Sequence, residues 1–302
     1  MDRRRLLTAL RIRIQRPIVS LRGRVLRATR PQRQAAVRED LDDLPILIAG
    51  CHRSGTSLLR RCIDSHSRIH CPAETLFLEY LGGAVGNPTA PKGWEAIGLA
   101  RDHMAEQWGS WAEEQFRRTA AEHGKPRWAD KSPGILMELD GVDALFGERA
   151  RYVAIVRDGM DVATSLGRSS PPWWQLRPLL RIEPDPYVAA AHYWAERNER
   201  LADFADRHPE RVHVLLYRDL VRSPEPTLRA AFDFLGEAWE DSVLDFNRHS
   251  HAGGLEDHHV STTTTFQDNT GRHRNLPIET QRRMWAAIEP VMARFGYESR
   301  TY

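Results

Sequence analysis

Residues 45–57 read Pro-Ile-Leu-Ile-Ala-Gly-Cys-His-Arg-Ser-Gly-Thr-Ser, and Leu-Leu-Arg-Arg-Cys-Ile follows directly at 58–63. The apolar run predicts a buried strand over 45–50, and the residues after the glycine-containing turn predict a helix over 56–65. A strand, a tight turn and a helix start together aim backbone N–H groups and the positive end of a helix dipole at one spot, which suits an anion and phosphate above all. The Gly50-x4-Gly55 spacing matches a nucleotide-phosphate loop, but Thr56 stands where a nucleoside triphosphatase needs lysine. Arg53 supplies a cation within the turn instead. Phosphate binding is therefore expected, while a P-loop kinase of a small hydroxyl substrate is the disfavoured alternative. The plain alternative is a capped helix after a buried strand, with no ligand.

Working outward, the same rhythm recurs. Residues 68–71, 151–156 and 212–216 read as further short strands, with a brief extended run at 127–129. Helical patterns fit 158–167, 187–207, 225–235 and 278–295. Strands alternating with helices imply an α/β fold with a central parallel sheet flanked by helices on both faces. One catalytic domain is expected over 44–302, preceded by an arm over 1–43.

That arm is chemically distinct. Residues 1–38 hold twelve arginines and one acid, a local charge of +11 in a chain whose net charge is +2, so the remainder carries −9. Its scattered apolar positions, broken by Pro17 and Gly23, read either as a solvated or partner-docked arm or as a basic amphipathic segment for an anionic membrane or nucleic acid. The run from Leu6 to Leu10 is too short for a secretory signal, so export is not expected. No run approaches the ~18 apolar residues of a membrane-spanning helix. Cys51, Cys62 and Cys71 are too few and odd in number for a disulfide framework, so free thiols and a cytoplasmic setting are expected, with peripheral membrane contact through the arm. Lysine is rare: Lys92, Lys125 and Lys131 stand against forty arginines.

A second anion-binding segment is Val156-Arg-Asp-Gly-Met-Asp-Val-Ala-Thr-Ser165. Arg157 at a strand's end can fork onto a phosphate, and Ser165 lies two turns along the following helix, with Arg168 sharing its face. The alternative for Arg157 is a surface ion pair with Asp158 or Asp161. Together, Arg53-Ser-Gly-Thr-Ser57 and the Arg157/Ser165 pair resemble the 5′-phosphosulfate and 3′-phosphate motifs of sulfotransferases that use 3′-phosphoadenosine 5′-phosphosulfate (PAPS). The resemblance implies PAPS as co-substrate, PAP as product, and no metal. It assigns Arg53, Ser54, Gly55, Thr56 and Ser57 to one end of the nucleotide and Arg157, Ser165 and Arg168 to the other.

Cys71-Pro-Ala-Glu74, 21 residues beyond Arg53, and Trp128-Ala-Asp-Lys-Ser-Pro133, with its lysine 26 residues before Arg157, look like segments of the tyrosylprotein sulfotransferases and related bacterial enzymes. The resemblance implies Glu74 as general base and Lys131 as a contact to the transferring group. The alternatives are that Glu74 is a helix N-terminal acid before 75–81 and Lys131 a solvated turn residue, the latter disfavoured by the scarcity of lysine. His52 and His103 are the alternative bases. Tyr217, in Tyr-Arg-Asp-Leu220, is a candidate nucleotide contact or a packing residue, and Asn269-Thr-Gly-Arg-His-Arg-Asn-Leu276 resembles a segment that folds over the nucleotide, which implies roles for Gly271, Arg272 and Arg274.

The expected activity is transfer of a sulfuryl group to an alcohol or phenol, on a peptide tyrosine, sugar, lipid or secondary metabolite. A non-catalytic polyanion- or membrane-binding protein is the remaining alternative. Residues 82–111 and 169–175 read as acceptor loops, with Trp94, Trp108, Trp111, Trp173 and Trp174 either forming an apolar platform or packing the loops. His249, His251, His258 and His259 fit no tight metal-ligand spacing and read as a solvated loop.

Overall fold

Ile46–Ala49 (β1) buries all four side chains, as a strand covered on both faces must. With Ile69–His70 (β2), Arg127–Lys131 (β3), Arg151–Val156 (β4) and Val212–Leu216 (β5) it forms a parallel sheet in the order β2-β3-β1-β4-β5. The structure, a computed structural model, describes residues 44–251, 253–256, 260 and 263–301, which fall within one compact unit. The arm over 1–43 lies outside the described residues, as do His258 and His259.

The helices are Thr56–Asp64 (α1), Phe77–Gly86 (α2), Ala90–Glu95 (α3), Arg101–Glu122 (α4), Leu139–Phe146 (α5), Gly159–Gly167 (α6), Arg177–Leu180 (α7), Pro186–Arg207 (α8), Tyr217–Arg222 (α9), Pro224–Leu235 (α10) and Ile278–Arg294 (α11). Alternate strand residues feed two separate cores. Leu47, Ala49, Tyr152, Ala154 and Val156 pack with α2, α4, α5, α6, α8 and α11. Ile46, Ile48, Val153, Ile155 and Leu215 face the other way, onto α1, α9 and α10. This period-two division is the pleat of the strands read through side chains.

The expected strands and the five expected helices are present, with ends shifted by a residue or so. Two shifts have visible causes. Asp158 is the cap of α6, accepting a hydrogen bond from Met160 N, and Asp185 caps α8 by accepting from Tyr187 N and Val188 N. One expectation fails: 82–111 is not a loop, because the end of α2, α3 and the first half of α4 occupy it. The helix expected over 75–81 begins at Phe77 and runs to Gly86.

β1 lies between β3 and β4, so the chain leaves it toward one edge and later returns on its other side. The crevice beyond the strands' carboxyl ends at such a reversal is where open α/β sheets bind ligands. Among the described residues no helix is long and apolar enough to cross a membrane.

Candidate active site

The turn after β1 takes a shape that most residues resist. Arg53 has φ 69° and Gly55 φ 97°, and at Gly55 a side chain would also collide, an added Cβ lying 2.6 Å from Tyr217 Cδ2. Gly55 is the cap position of α1, and no side chain caps that helix end. The first N–H groups of α1 therefore stay available to an incoming anion. Ser54, Thr56 and Ser57 are all buried around them.

The end of β4 is built differently. Arg157 donates from Nη1 to Arg53 O at 3.2 Å and from Nη2 to Asn269 O at 2.5 Å, and its guanidinium sits 4.5 Å from the centre of the Tyr217 ring. Its Nε is buried and, among the described residues, without a hydrogen-bond partner. The ion pair with Asp158 or Asp161 that sequence allowed is not how those acids are used. Asp158 pairs with Arg300, and Asp161 accepts from the N–H groups of Gly271 and Arg272 and from His273. Burial pushes the Asp161 carboxyl upward, but the His273 and Gly271 hydrogen bonds and the Arg157 charge outweigh it and hold it below the usual carboxylate range.

The two segments are cross-braced. Arg53 Nε donates to Ser165 Oγ at 3.1 Å, while Arg157 reaches the Arg53 carbonyl. A cavity of about 590 Å³ lined by Arg53, Thr56, Ser57 and Glu74 shares Arg53, Gly55, Leu58, Ser165, Arg168 and Val260 with one of about 480 Å³ lined by Arg157, Tyr217 and Arg272. The two form one cleft. Tyr217 both packs and lines it: the ring is nearly buried, and its hydroxyl donates to Gln267 O at 3.0 Å. Gly271 and Arg274 line an adjoining recess that shares Arg157, Asp161 and Tyr217 with the cleft, while Arg272 lines the cleft itself.

At the acceptor end, Lys131 has no exposed surface, so it is no solvated turn residue. Its Nζ donates to Glu74 Oε1 at 2.5 Å and to Ser57 Oγ at 3.2 Å. Glu74 is not a helix N-terminal acid either, since α2 starts three residues later and Glu74 forms an antiparallel bridge with Leu255. The loop that carries it is tied to the end of β3 by Thr75 Oγ1 donating to Asp130 (2.8 Å) and Leu76 N donating to Ser132 Oγ (3.1 Å). Burial pushes the Asp130 carboxyl up to about 6 against the hydrogen bonds and the Lys131 charge that would lower it.

Of the two candidate histidines, His103 sits on the exposed side of α4 and bonds Gln107. His52 does line the cleft, in an edge contact with Trp173 and hydrogen-bonded to Tyr193 Oη at 2.8 Å. Burial, with the charges of Arg197, Lys131 and Arg53, lowers it to about 3, so it is uncharged at neutral pH. Trp173 alone of the five tryptophans lines the cleft. Trp94 and Trp108 pack on each other, Trp111 packs on Phe77, and Trp174 is 63% exposed.

His251 is not solvated: its ring bonds Asp64 Oδ2 (2.6 Å) and Phe246 O (2.8 Å). The three thiols are free and buried, and burial, opposed by Arg197, pushes Cys51 up to about 12. Among the described residues no group of His, Cys, Asp and Glu is placed to hold a metal ion. The carbonyls of Asn269 and Gln267, the Asp161 carboxylate that accepts from Gly271 and Arg272, and the segment 253–256 beside Glu74 have no sequence signature in these roles, because each contact joins residues 50 or more positions apart.

The chain is similar to known proteins in sequence and in fold. Protein-tyrosine sulfotransferase 1 of Danio rerio is 25% identical over 272 residues, 85% of this chain and 73% of its own length. Protein-tyrosine sulfotransferase 2 of Gallus gallus is 24% identical over 294 residues, 90% and 76%. Among solved structures, the sulfotransferase domain from the curacin biosynthetic pathway shares the fold with a TM-score of 0.58 at 24% identity, covering 84% of this chain and 98% of that one. The sulfotransferase domain of the Synechococcus PCC 7002 olefin synthase gives 0.57 at 20% identity, with 85% and 96% covered. The profile of the sulfotransferase family matches residues 45–241, which span β1 to the segment beyond α10 and take in both arginine turns, Glu74 and Lys131, and this chain belongs to that family.

Proposed function

We propose that the enzyme moves a sulfuryl group from PAPS to the hydroxyl of an alcohol or phenol, with Glu74 as general base. The observation that carries this reading is the buried Lys131 ammonium, which bridges Ser57 at the phosphate turn and Glu74 at the acceptor end. Cation, base and anion site thus lie within two hydrogen bonds of one another.

The cleft suits the donor. Arg157 Nε and Ser54 Oγ are buried polar atoms without partners among the described residues, which is capacity that a phosphate would satisfy. Arg53, Ser54, Gly55, Thr56 and Ser57 would hold its 5′ end, Arg157, Ser165 and Arg168 its 3′-phosphate, and Tyr217 and Arg272 the nucleoside between, with Gly271 and Arg274 in the adjoining recess that Arg157 also lines. When bound, the donor supplies a sulfuryl group on a stable leaving phosphate.

The chain's own residues then do three things. The N–H groups opening α1 and the Arg53 and Lys131 cations stabilise negative charge that gathers on the leaving oxygen. Glu74 takes the proton of the acceptor hydroxyl as its oxygen bonds to sulfur, an effect worth ~10²–10⁴ in rate. The walls of the cleft hold acceptor and donor in line. The products are a sulfate ester, PAP and one proton, so atoms and charge balance. The protein-tyrosine sulfotransferases among its relatives make peptide tyrosine the first acceptor to screen, followed by sugar, lipid and secondary-metabolite hydroxyls.

Replacing Glu74 by Gln keeps the shape of the side chain and removes the base. Turnover should fall by about 10²–10⁴ while PAP affinity measured by calorimetry stays within a few-fold. Unchanged turnover removes Glu74 from the mechanism, and binding of ATP in place of PAP would favour a kinase.

A further inference from the structure

The segment 253–256 touches Glu74 in a way the assigned motifs do not explain. Leu255 O accepts from Glu74 N at 2.9 Å, and the two residues form an antiparallel bridge, in which facing side chains project to the same side. Leu255 is 57% exposed although large and apolar, and it lines the same cavity as Glu74 and Trp173. Its neighbour Gly254 runs so close to the chain leading into Glu74 that an added Cβ would lie 2.8 Å from that of Ala73.

Glu256 fastens this strap to α1. Its Oε1 accepts from Arg60 Nε at 3.0 Å and Nη2 at 2.6 Å, and its Oε2 accepts from Arg61 Nη2 at 2.8 Å. Arg60 has no exposed surface, and its Nη1 donates to Cys71 O at 2.9 Å. One buried guanidinium therefore grips both the strap and the chain three residues before Glu74. Such a group is costly to leave without its carboxylate, so the strap is held firmly against the helix whose first turn forms the phosphate site.

We propose that 253–256 is the acceptor-side wall of the site: Glu256 is a positioning residue that fixes Glu74 through the main chain, and Leu255 is a specificity-determining residue whose side chain supports the acceptor's carbon skeleton beside the base. The inference rests on Glu74 being that base. It calls for an acceptor whose hydroxyl is attached to an apolar body, because the Leu255 side chain has no hydrogen-bonding atom and the Trp173 ring that lines the same cavity is mainly apolar.

The test uses the full chain with PAPS and 2-naphthol as the acceptor probe, and PAP calorimetry on every variant. Leu255→Ser is expected to raise KM for 2-naphthol about fivefold or more with kcat little changed. Glu256→Gln should lower kcat about tenfold with PAP affinity within about twofold, and Glu256→Asp should recover part of that loss; an ion pair that only stabilised the fold would instead lower Tm and leave kcat of the folded enzyme unchanged. The proposal is overturned if both substitutions leave kcat and KM at wild-type values, if the activity lost in Glu256→Gln merely follows lost PAP affinity, or if PAP-loaded wild type fails to bind 2-naphthol. Failure of the wild type to bind PAP would be a different result, striking the donor assignment itself and this inference with it.

Discussion

The turns after β1 and β4 look interchangeable on paper, each a buried parallel strand running through an arginine into a helix, yet they offer opposite groups to the anion proposed for them. After β1 the helix start is left uncapped, with backbone forced into left-handed conformations at Arg53 and Gly55, so the donors are main-chain N–H groups. After β4 the helix start is already occupied by its own carboxylate, Asp158, whose other oxygen is engaged by Arg300. The proposed anion there would be held by side chains, namely Arg157 and Ser165. A strand–turn–helix unit is thus an anion site by default only when nothing in the chain caps it first. The Tyr217 ring joins the two, lying against Gly55 on one side and under Arg157 on the other.

The largest effect should come from disturbing the main-chain site. Gly55→Ala puts a Cβ 2.6 Å from Tyr217 at a φ of 97°. Left-handed strain of about 1–2 kcal/mol and overpacking of about 1–3 kcal/mol add to a stability loss of about 2–5 kcal/mol, readable by denaturant titration. The ring that must yield carries Arg157, so PAP affinity should fall with stability. A variant that folds and binds PAP normally would show that the turn is not built around its backbone.

Side-chain truncation tests the other half. Arg157→Ala should leave the fold intact and weaken PAP by about 1.5–3 kcal/mol, roughly 10–150-fold, as for a lost charged hydrogen bond. Calorimetry decides it, and an unchanged Kd would empty the second site of its meaning.

How far such a contrast could be read beforehand depends on whether its cause is local. The strands β1, β4 and β5 were legible because their apolar runs are contiguous, and Arg53, Glu74, Lys131 and Arg157 because they stand in recognisable segments. The helix α4 was not, although it is 22 residues long. Its buried stripe is Ala105, Gly109, Ala112, Phe116 and Ala120, correctly spaced but too small to register as hydrophobic periodicity. Gly109 explains the choice: an added Cβ there would lie 1.9 Å from Leu145 O, so α4 and α5 meet backbone to backbone. The acceptor wall was invisible for another reason. Arg60 and Glu256 are 196 residues apart, and Glu74 meets Leu255 through main-chain atoms, so no window of sequence holds either contact. The capping of α6 could have been read, since Asp before Gly-Met is an ordinary cap signal, but Asp158 was weighed only as a partner for Arg157.

That cap offers the finest cut between the two turns. Asp158→Ala removes the bond from Met160 N and the pairing with Arg300. Loss of a cap costs about 1 kcal/mol, a drop of a few degrees in Tm. Its effect on the nucleotide should run the other way. The first N–H groups of α6 are released and a negative charge beside Arg157 disappears, so PAP should bind as tightly as before or slightly more tightly, and the change should shrink as salt is added. If affinity instead falls as far as in Arg157→Ala, then Asp158 is orienting the arginine, and the β4 turn is held together by its own acid as firmly as the β1 turn is by its glycine.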